Sequence, residues 1–148
     1  MKPVALSSMV VSVVLVAGFA LGAGEKTDKQ RLQGVWQATS IEADGVQAPA
    51  EVTESLTYTF KGDTLTMGPA AEPGSNSEFT ITLDPAKKPK TIDLKITKGS
   101  GKGKTMLGIY KIEKDGLLIC FSETRPTEFA TKANSDTALV ALKRKTAK

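Results

Sequence analysis

The sequence contains no histidine among its 148 residues. Histidine is the usual proton acceptor in nucleophilic catalysis and the commonest side-chain ligand of transition metals. Its absence excludes a Ser-His-Asp or Cys-His catalytic arrangement. Because the chain also has only one cysteine, the sequence predicts no zinc site and no cofactor.

The single cysteine, Cys120, cannot form an intrachain disulfide. It lies within the apolar run 117–121, and a thiol in such a run is usually a small buried hydrophobic group rather than a reactive one. We therefore predict that Cys120 is buried.

Aromatic residues are also few, at 5% of the chain, and the formal net charge is only +4. Basic residues group at 87–90, 98–104 and 143–145. These groups lack the interleaved aromatic side chains on which nucleic-acid bases stack. The sequence thus predicts no nucleic-acid partner. It predicts that the basic clusters are exposed to solvent, and weak attraction of these clusters to anionic polymers or head groups is the alternative.

Long hydrophobic runs are missing as well, because the apolar stretch 9–21 falls short of the roughly 20 residues that span a bilayer. It follows the basic Lys2 and ends in small residues before a polar segment, which is the pattern of a signal peptide. We predict a signal peptide over residues 1–22, cleaved after Gly22 or, alternatively, Gly24, and export to the periplasm or the cell exterior. The alternative is an uncleaved membrane anchor.

The remaining chain of about 126 residues has the size of one domain that buries its own core. Residues 23–31 are polar and predict an N-terminal tether. Residues 32–145 predict a single β domain, with no stable membrane span once the signal peptide has been removed.

What the domain does contain is alternation of apolar and polar residues in short segments bounded by Gly, Pro, Asp and Asn. This pattern is typical of antiparallel strands with one buried face. Short turn sequences connect several of these segments in order. We predict an all-β, eight-stranded antiparallel barrel, with a two-sheet sandwich as the alternative. The predicted strands are 34–42, 56–61, 64–68, 78–84, 91–97, 105–113, 117–122 and 138–144.

Three connections are longer than hairpins need, and long loops often carry function. They cover 44–55, with one helical turn predicted near 49–54, then 69–77 and 123–137. The third connection supplies the candidate loop site, Arg125, Glu128 and Phe129. The ordinary alternative is that these loops only close the ends of the barrel.

The stretch 99–105 superficially suggests a phosphate-binding loop. That motif requires glycine where this chain has Lys98, and it opens a helix, whereas Thr105 begins a predicted strand. A solvated hairpin loop is the better interpretation.

Five motifs together resemble an uncharacterised domain family that is abundant in planctomycete bacteria. They are LQGVW at 32–36, FKGD at 60–63, DPAKKPKTID at 84–93, GKTMLGIY at 103–110 and RPTEF at 125–129. The resemblance covers about residues 32–144. It implies an exported β domain and names no catalytic or ligand-binding residue.

A second resemblance concerns the fold. Gly34 and Trp36 on the first predicted strand, and Arg144 near the end of the last, are similar to the Gly-x-Trp and terminal Arg that close the base of lipocalin barrels. Since the first and last strands of a closed barrel are neighbours, we predict that Arg144 stacks on the Trp36 ring. A frayed basic tail that includes Arg144 is the alternative.

Two functional hypotheses follow. The first is a non-enzymatic binding or structural module of the cell envelope, which takes a small apolar ligand or an envelope component at the barrel mouth or on the long loops. The second is a carboxylate-dependent hydrolase of envelope polymers, which needs two carboxylates across a cleft. Its candidate pairs, which the sequence alone does not bring face to face, are Asp84 with Asp93 and Glu123 with Glu128.

Overall fold

A computed structural model describes residues 27–69 and 73–145 of the protein. The predicted signal peptide, residues 1–22, lies outside the described residues, as do residues 23–26 of the predicted tether. The helices are α1 (Asp28–Leu32) and α2 (Ala50–Ser55), with a 3-10 turn at Pro73–Ser75. The strands are β1 (Gly34–Ala43), β2 (Val46–Gln47), β3 (Leu56–Lys61), β4 (Thr64–Pro69), β5 (Ser77–Asp84), β6 (Thr91–Lys98), β7 (Thr105–Glu113), β8 (Gly116–Ser122) and β9 (Ala138–Arg144).

Eight strands form a closed antiparallel barrel. From β3 to β9 each strand pairs with the next along the chain, while β1 pairs with β3 on one side and with β9 on the other. The remaining strand, β2, extends the far end of β1 as a two-residue hairpin. The predicted eight-stranded barrel is confirmed, and the alternative of a two-sheet sandwich is wrong.

One face of each strand supplies the core inside the barrel. In β6, Ile92, Leu94 and Ile96 are buried while Lys95 and Thr97 are exposed, as the alternation predicts. The inward side chains pack into one apolar cluster, whose removal from water is the main stabilising contribution. Its buried aromatic members are Trp36, Tyr58, Phe60, Phe79 and Tyr110.

Every predicted strand boundary lies within one residue of the observed one. The sequence analysis missed β2, because two residues are too few to show alternation. The turn before β2 runs through Asp44 and Gly45, both with positive φ. The helical turn predicted near 49–54 is present as α2.

The predicted tether is a helix where it is described. Thr27 caps α1, since its hydroxyl accepts from the Gln30 N–H at 3.2 Å and the Gln30 side chain accepts from the Thr27 N–H at 2.9 Å. This capping box satisfies two backbone donors, and Leu32 is fully buried in the core. Capping and apolar burial therefore order a segment whose polar composition suggested a tether.

The barrel has two distinct ends. The helix α1 lies at the end where β1 begins and β9 ends, which we call the base. The turns β3–β4, β5–β6 and β7–β8 share the base, and the helix α2 lies at the opposite end. No helix in the described part of the chain is long and apolar enough to cross a membrane.

A second apolar layer lies on the outside of the barrel. Ile109 and Cys120 are paired across β7 and β8 and are buried, although they face away from the interior that Tyr110 and Ile119 occupy. The Cys120 Sγ lies 3.8 Å from the carbonyl oxygen of Ala130. The connection 123–137 therefore folds back over the outer face of these strands.

Candidate binding site at the barrel base

The predicted contact between the first and last strands is present at the base. Trp36 is the register partner of Arg144, and the guanidinium carbon of Arg144 lies 4.3 Å from the centroid of the Trp36 ring. Trp36 is fully buried. The alternative of a frayed tail at Arg144 is wrong, because the residue lies in β9 and stacks on the indole as a cation–π pair.

Arg144 also fastens the segment between α1 and β1. Its Nη1 donates to the Gln33 carbonyl at 2.9 Å, and its Nη2 donates to the Arg31 carbonyl. Both carbonyls lie at the end of α1, where backbone acceptors lack helical partners. A cation there also interacts favourably with the negative end of the helix.

Gly34 and Trp36 also hold α1 against the base of the barrel. The Trp36 Nε1 donates to the Leu32 carbonyl at 2.8 Å. Gly34 has φ 115°, a region that favours glycine, and a Cβ there would lie 3.3 Å from the Arg144 Nη1. The Gly-x-Trp motif therefore serves to hold α1 across the base.

The start of α1 is held by a separate network on Asp28. Its Oδ2 accepts from the Tyr110 hydroxyl at 2.7 Å and from the Lys90 ammonium at 2.9 Å. Asp28 begins α1, Tyr110 belongs to β7, and Lys90 precedes β6. One largely buried carboxylate thus ties three separate parts of the chain together at the base.

Ionisation of these groups reinforces the network. Burial opposes ionisation of Asp28, but the hydrogen bonds from Lys90 and Tyr110 and the charges of Lys90 and Arg31 outweigh it, so the pKa of Asp28 lies below its ordinary 3.8. Burial and the bonded carboxylate raise the pKa of Tyr110. Near neutral pH a charged acceptor therefore meets a protonated donor, which strengthens the hydrogen bond.

A groove of about 450 Å³, which we call the α1–β5 groove, opens beside this network. Its apolar part is formed by Ile81, Leu83 and Pro85. Its polar part carries three hydroxyl groups, two carboxylates and one ammonium group, from Thr27, Thr80, Thr82, Asp28, Asp63 and Lys29. An apolar wall with a few polar groups around it is the usual composition of a small-molecule site.

The α1–β5 groove exists because β5 is longer than β4 at the base. The Ile81 N–H donates to the Asp63 carbonyl at 2.8 Å, and residues 82–84 then run past the start of β4. The helix α1 lies alongside this extension. An ion pair between the Lys29 ammonium and the Asp63 carboxylate, 2.7 Å apart, joins the helix to the β3–β4 turn.

A second groove, of about 280 Å³, lies on the other side of the Asp28 network, and we call it the lysine groove. Four lysines line it together with apolar and aromatic groups: Lys87, Lys88, Lys90, Lys111, Pro85, Pro89, Tyr110, Ile112 and Phe129. The network of Asp28, Tyr110 and Lys90 contributes residues to both grooves.

The candidate loop residues divide between two places. Arg125 and Glu128 line a shallow groove of about 260 Å³ on the outer face, whereas Phe129 is half-buried and lines the lysine groove. Arg125 donates to the Gly108 carbonyl at 2.9 Å and pairs with Asp93 at 2.6 Å. Arg125 is therefore a clamp that holds the loop on β6 and β7.

Neither carboxylate pair proposed for hydrolysis lines one of the described grooves together. Asp93 is neutralised by Arg125, and it lies two register positions from Asp84 across β5 and β6. Glu123 and Glu128 are exposed, and Glu128 alone of the two lines the shallow groove. A glycosidase holds two carboxylates on either side of bound sugar, whereas here Asp93 is ion-paired with Arg125 and neither pair lines one groove together.

Cys120 is buried, as the sequence predicts. Burial raises the pKa of its thiol, the contact with the Ala130 carbonyl acts in the opposite direction, and the nearby Glu128 charge raises it further. The thiolate is the reactive form, so this environment keeps Cys120 unreactive. Among the described residues, no group of three or more acidic or cysteine side chains could hold a metal ion.

Comparisons of the chain with protein-family models, with curated proteins and with solved structures find no match.

Sequence reasoning missed the base network, although one local signal for it was present. Thr27 and Gln30 have the capping-box spacing, which indicates a helix start next to Asp28. Nothing local marks the partners of Asp28, because Lys90 and Tyr110 are 62 and 82 residues away along the chain.

Proposed function

We propose that this protein is an exported, non-enzymatic binding module of the cell envelope, which holds a small amphipathic molecule in the α1–β5 groove. The observation that carries the proposal is the composition of that groove, which brings apolar side chains together with hydroxyl and charged groups. A ligand with an apolar face and several hydroxyl groups would match both kinds of group. Export is inferred from the signal-like pattern of residues 1–22.

The location of this groove changes where a ligand is expected. A lipocalin-like barrel suggests binding inside the barrel, but here the inward side chains pack against one another, and Trp36, Tyr58 and Phe60 are all at most 2% exposed. Space for a ligand occurs instead at the base, between α1 and β5. We therefore place the binding site outside the filled core.

The charges in the groove support binding rather than hydrolysis. Asp28 and Asp63 both line it, as two carboxylates would in a glycosidase. A general acid needs a raised pKa to stay protonated near neutral pH, whereas the pKa of Asp28 is lowered. Asp63 is ion-paired with Lys29, so neither carboxylate has the surroundings of a catalytic acid.

Thermal-shift measurements with nitrophenyl glycosides, other apolar small molecules and envelope polysaccharides test this proposal. Nitrophenyl glycosides carry an aromatic face and hydroxyl groups, and they release coloured nitrophenolate if they are hydrolysed. Ligands that fit should raise the melting temperature of the purified protein without releasing nitrophenolate. Steady release would favour the hydrolase, and no stabilisation by any ligand would contradict the proposed site.

A groove-filling variant locates the binding. Thr82 is exposed and lines the α1–β5 groove, so Thr82→Trp should fill the groove and abolish the ligand-induced shift. Thr105 is exposed at the opposite end, and Thr105→Trp should keep the full shift. An equal shift in both variants would place the ligand elsewhere.

A further inference from the structure

We propose that the lysine groove binds acidic polysaccharide, that is, a chain of sugar rings bearing carboxylate or sulfate groups. This site is distinct from the α1–β5 groove of the proposed function. The two grooves share Pro85, but the lysines and Phe129 that carry this proposal do not line the α1–β5 groove, so it can be tested separately.

The first observation is uncompensated positive charge in a concave place. Lys90 is paired with Asp28, and Lys111 is paired with Glu113 at 2.8 Å. Lys87 and Lys88 are exposed and form no ion pair within the described residues.

A third carboxylate, Asp84, lies three residues before Lys87 but forms no ion pair with Lys87 or Lys88 among the described residues. It accepts a hydrogen bond from the Ala86 N–H at 3.2 Å. The ammonium groups of Lys87 and Lys88 are therefore exposed and not held by a carboxylate of the protein.

The second observation is an apolar surface between these charges. Phe129, which is half-buried, lines the groove together with Ile112, Pro85 and Pro89. A sugar ring has a flat face of C–H groups that packs against apolar and aromatic surface, while its acidic substituents reach ammonium groups. A bare inorganic anion would leave that apolar surface uncovered.

The shape of the site distinguishes a polymer chain from a membrane. The groove is concave and has a volume of about 280 Å³, so single residues of a polymer chain can enter it, whereas the flat surface of a bilayer would contact mainly its rim. Lysine ammonium groups are strongly hydrated point charges on flexible stems, which suits acidic groups that recur along a chain without fixed geometry.

Binding of fluorescently labelled polygalacturonate and dextran sulfate to the purified protein tests this proposal. Uncharged dextran and vesicles of phosphatidylglycerol with phosphatidylcholine serve as comparison ligands. Both acidic polymers, or one of them, should bind at low salt and weaken as salt rises, because exposed charges are screened over about 10 Å at 0.1 M ionic strength. The two polymers distinguish carboxylate from sulfate recognition.

Matched double variants place the binding on the lysine groove. Lys87→Gln with Lys88→Gln should weaken binding about tenfold, since two exposed charged contacts are lost. Lys102→Gln with Lys104→Gln removes the same charge from an exposed loop at the opposite end and should change binding less than about twofold. Phe129→Ala should weaken binding about threefold and leave its salt dependence unchanged.

Three outcomes would overturn the proposal. They are equal losses in the two double variants, binding of uncharged dextran as tight as that of the acidic polymers, and no binding of either acidic polymer at low salt. Vesicle binding that exceeds polymer binding and depends on Lys87 and Lys88 would assign the site to lipid headgroups instead. The rise in melting temperature caused by ligands of the α1–β5 groove should be the same in all these variants.

Discussion

At the base of the barrel, side chains from distant parts of the sequence close the structure, whereas at the opposite end the β6–β7 connection is held by its own backbone. The base uses Trp36, Arg144 and Asp28, whose side-chain bonds tie α1 to β1, β7 and β9. In the β6–β7 connection, Ile96 exchanges two backbone hydrogen bonds of 2.8 Å, with Gly103 and Lys104. All residues from 99 to 104 are exposed.

This difference explains why the grooves occur at the base. Side-chain contacts hold α1 against the barrel and leave the α1–β5 groove between the helix and β5. The lysine groove lies next to it, lined by Lys90 and Tyr110 of the Asp28 network and by no residue of α1. The β6–β7 connection is ordered by hydrogen bonds of its own backbone, without side-chain contacts that would form the walls of a groove. The following substitutions test whether the base and the β6–β7 connection depend on these different kinds of contact.

Trp36→Ala should have the largest effect, a loss of about 3–5 kcal/mol in the free energy of unfolding, as for other large core truncations. The side chain is fully buried, and its removal also leaves the Leu32 carbonyl without its donor. Denaturant melts should be followed by circular dichroism, because the variant lacks the only tryptophan. Val35→Ala, at a neighbouring exposed position, should change stability by less than about 0.5 kcal/mol.

Arg144→Ala should destabilise the protein by about 2 kcal/mol. The sequence alone suggests about 1 kcal/mol, from stacking on the indole. The structure adds hydrogen bonds from a charged donor to the carbonyls of Arg31 and Gln33, and such bonds contribute more than neutral ones. Lys145→Ala should leave the free energy of unfolding nearly unchanged in the same melts. Equal effects of the two substitutions would show that side chains do not close the base.

Asp28→Asn should cost about 1–2 kcal/mol near neutral pH, because it weakens two charge-assisted hydrogen bonds. The folded pKa of Asp28 lies below 3.8, so its contribution is fully present above that value and is lost as pH falls through the lower folded pKa. The difference in stability between wild type and variant should therefore shrink on acidification. Melts at about pH 7 and about pH 2.5 measure this change.

Asp63→Asn is the control for Asp28→Asn. Asp63 also forms an ion pair at the base, but its side chain and that of its partner Lys29 are more than half exposed. Exposed pairs contribute little, so this substitution should have almost no effect on stability at either pH. A difference for Asp28→Asn that stayed constant down to the acidic pH would contradict the role given to its charge.

How much the sequence predicts depends on whether the signal is local. Strands were found to within one residue because each strand carries its own alternation. Closure of the barrel was found because Gly34, Trp36 and Arg144 sit at the two ends of the domain, where first and last strands meet.

The grooves could not be predicted in the same way. They depend on where α1 crosses the base and on contacts between residues such as Asp28 and Tyr110, 82 positions apart. The loop 123–137 is long enough to carry a site, but contacts without a local sequence signature separate Arg125 from Phe129. Arg125 forms an ion pair with Asp93 on β6, while Phe129 lines the lysine groove.

Gly103→Ala tests the opposite end and should have the smallest effect, a loss of about 1 kcal/mol. Gly103 has φ 96°, and an added Cβ would meet nothing within 4 Å. The cost is therefore conformational, since residues with a side chain disfavour positive φ. Gly74→Ala is the matched control at the same end, because Gly74 also has open space around it but no positive φ. That substitution should be neutral or slightly stabilising. If urea melts show equal effects of the two changes, backbone conformation does not hold the β6–β7 connection, and the contrast between this connection and the base fails.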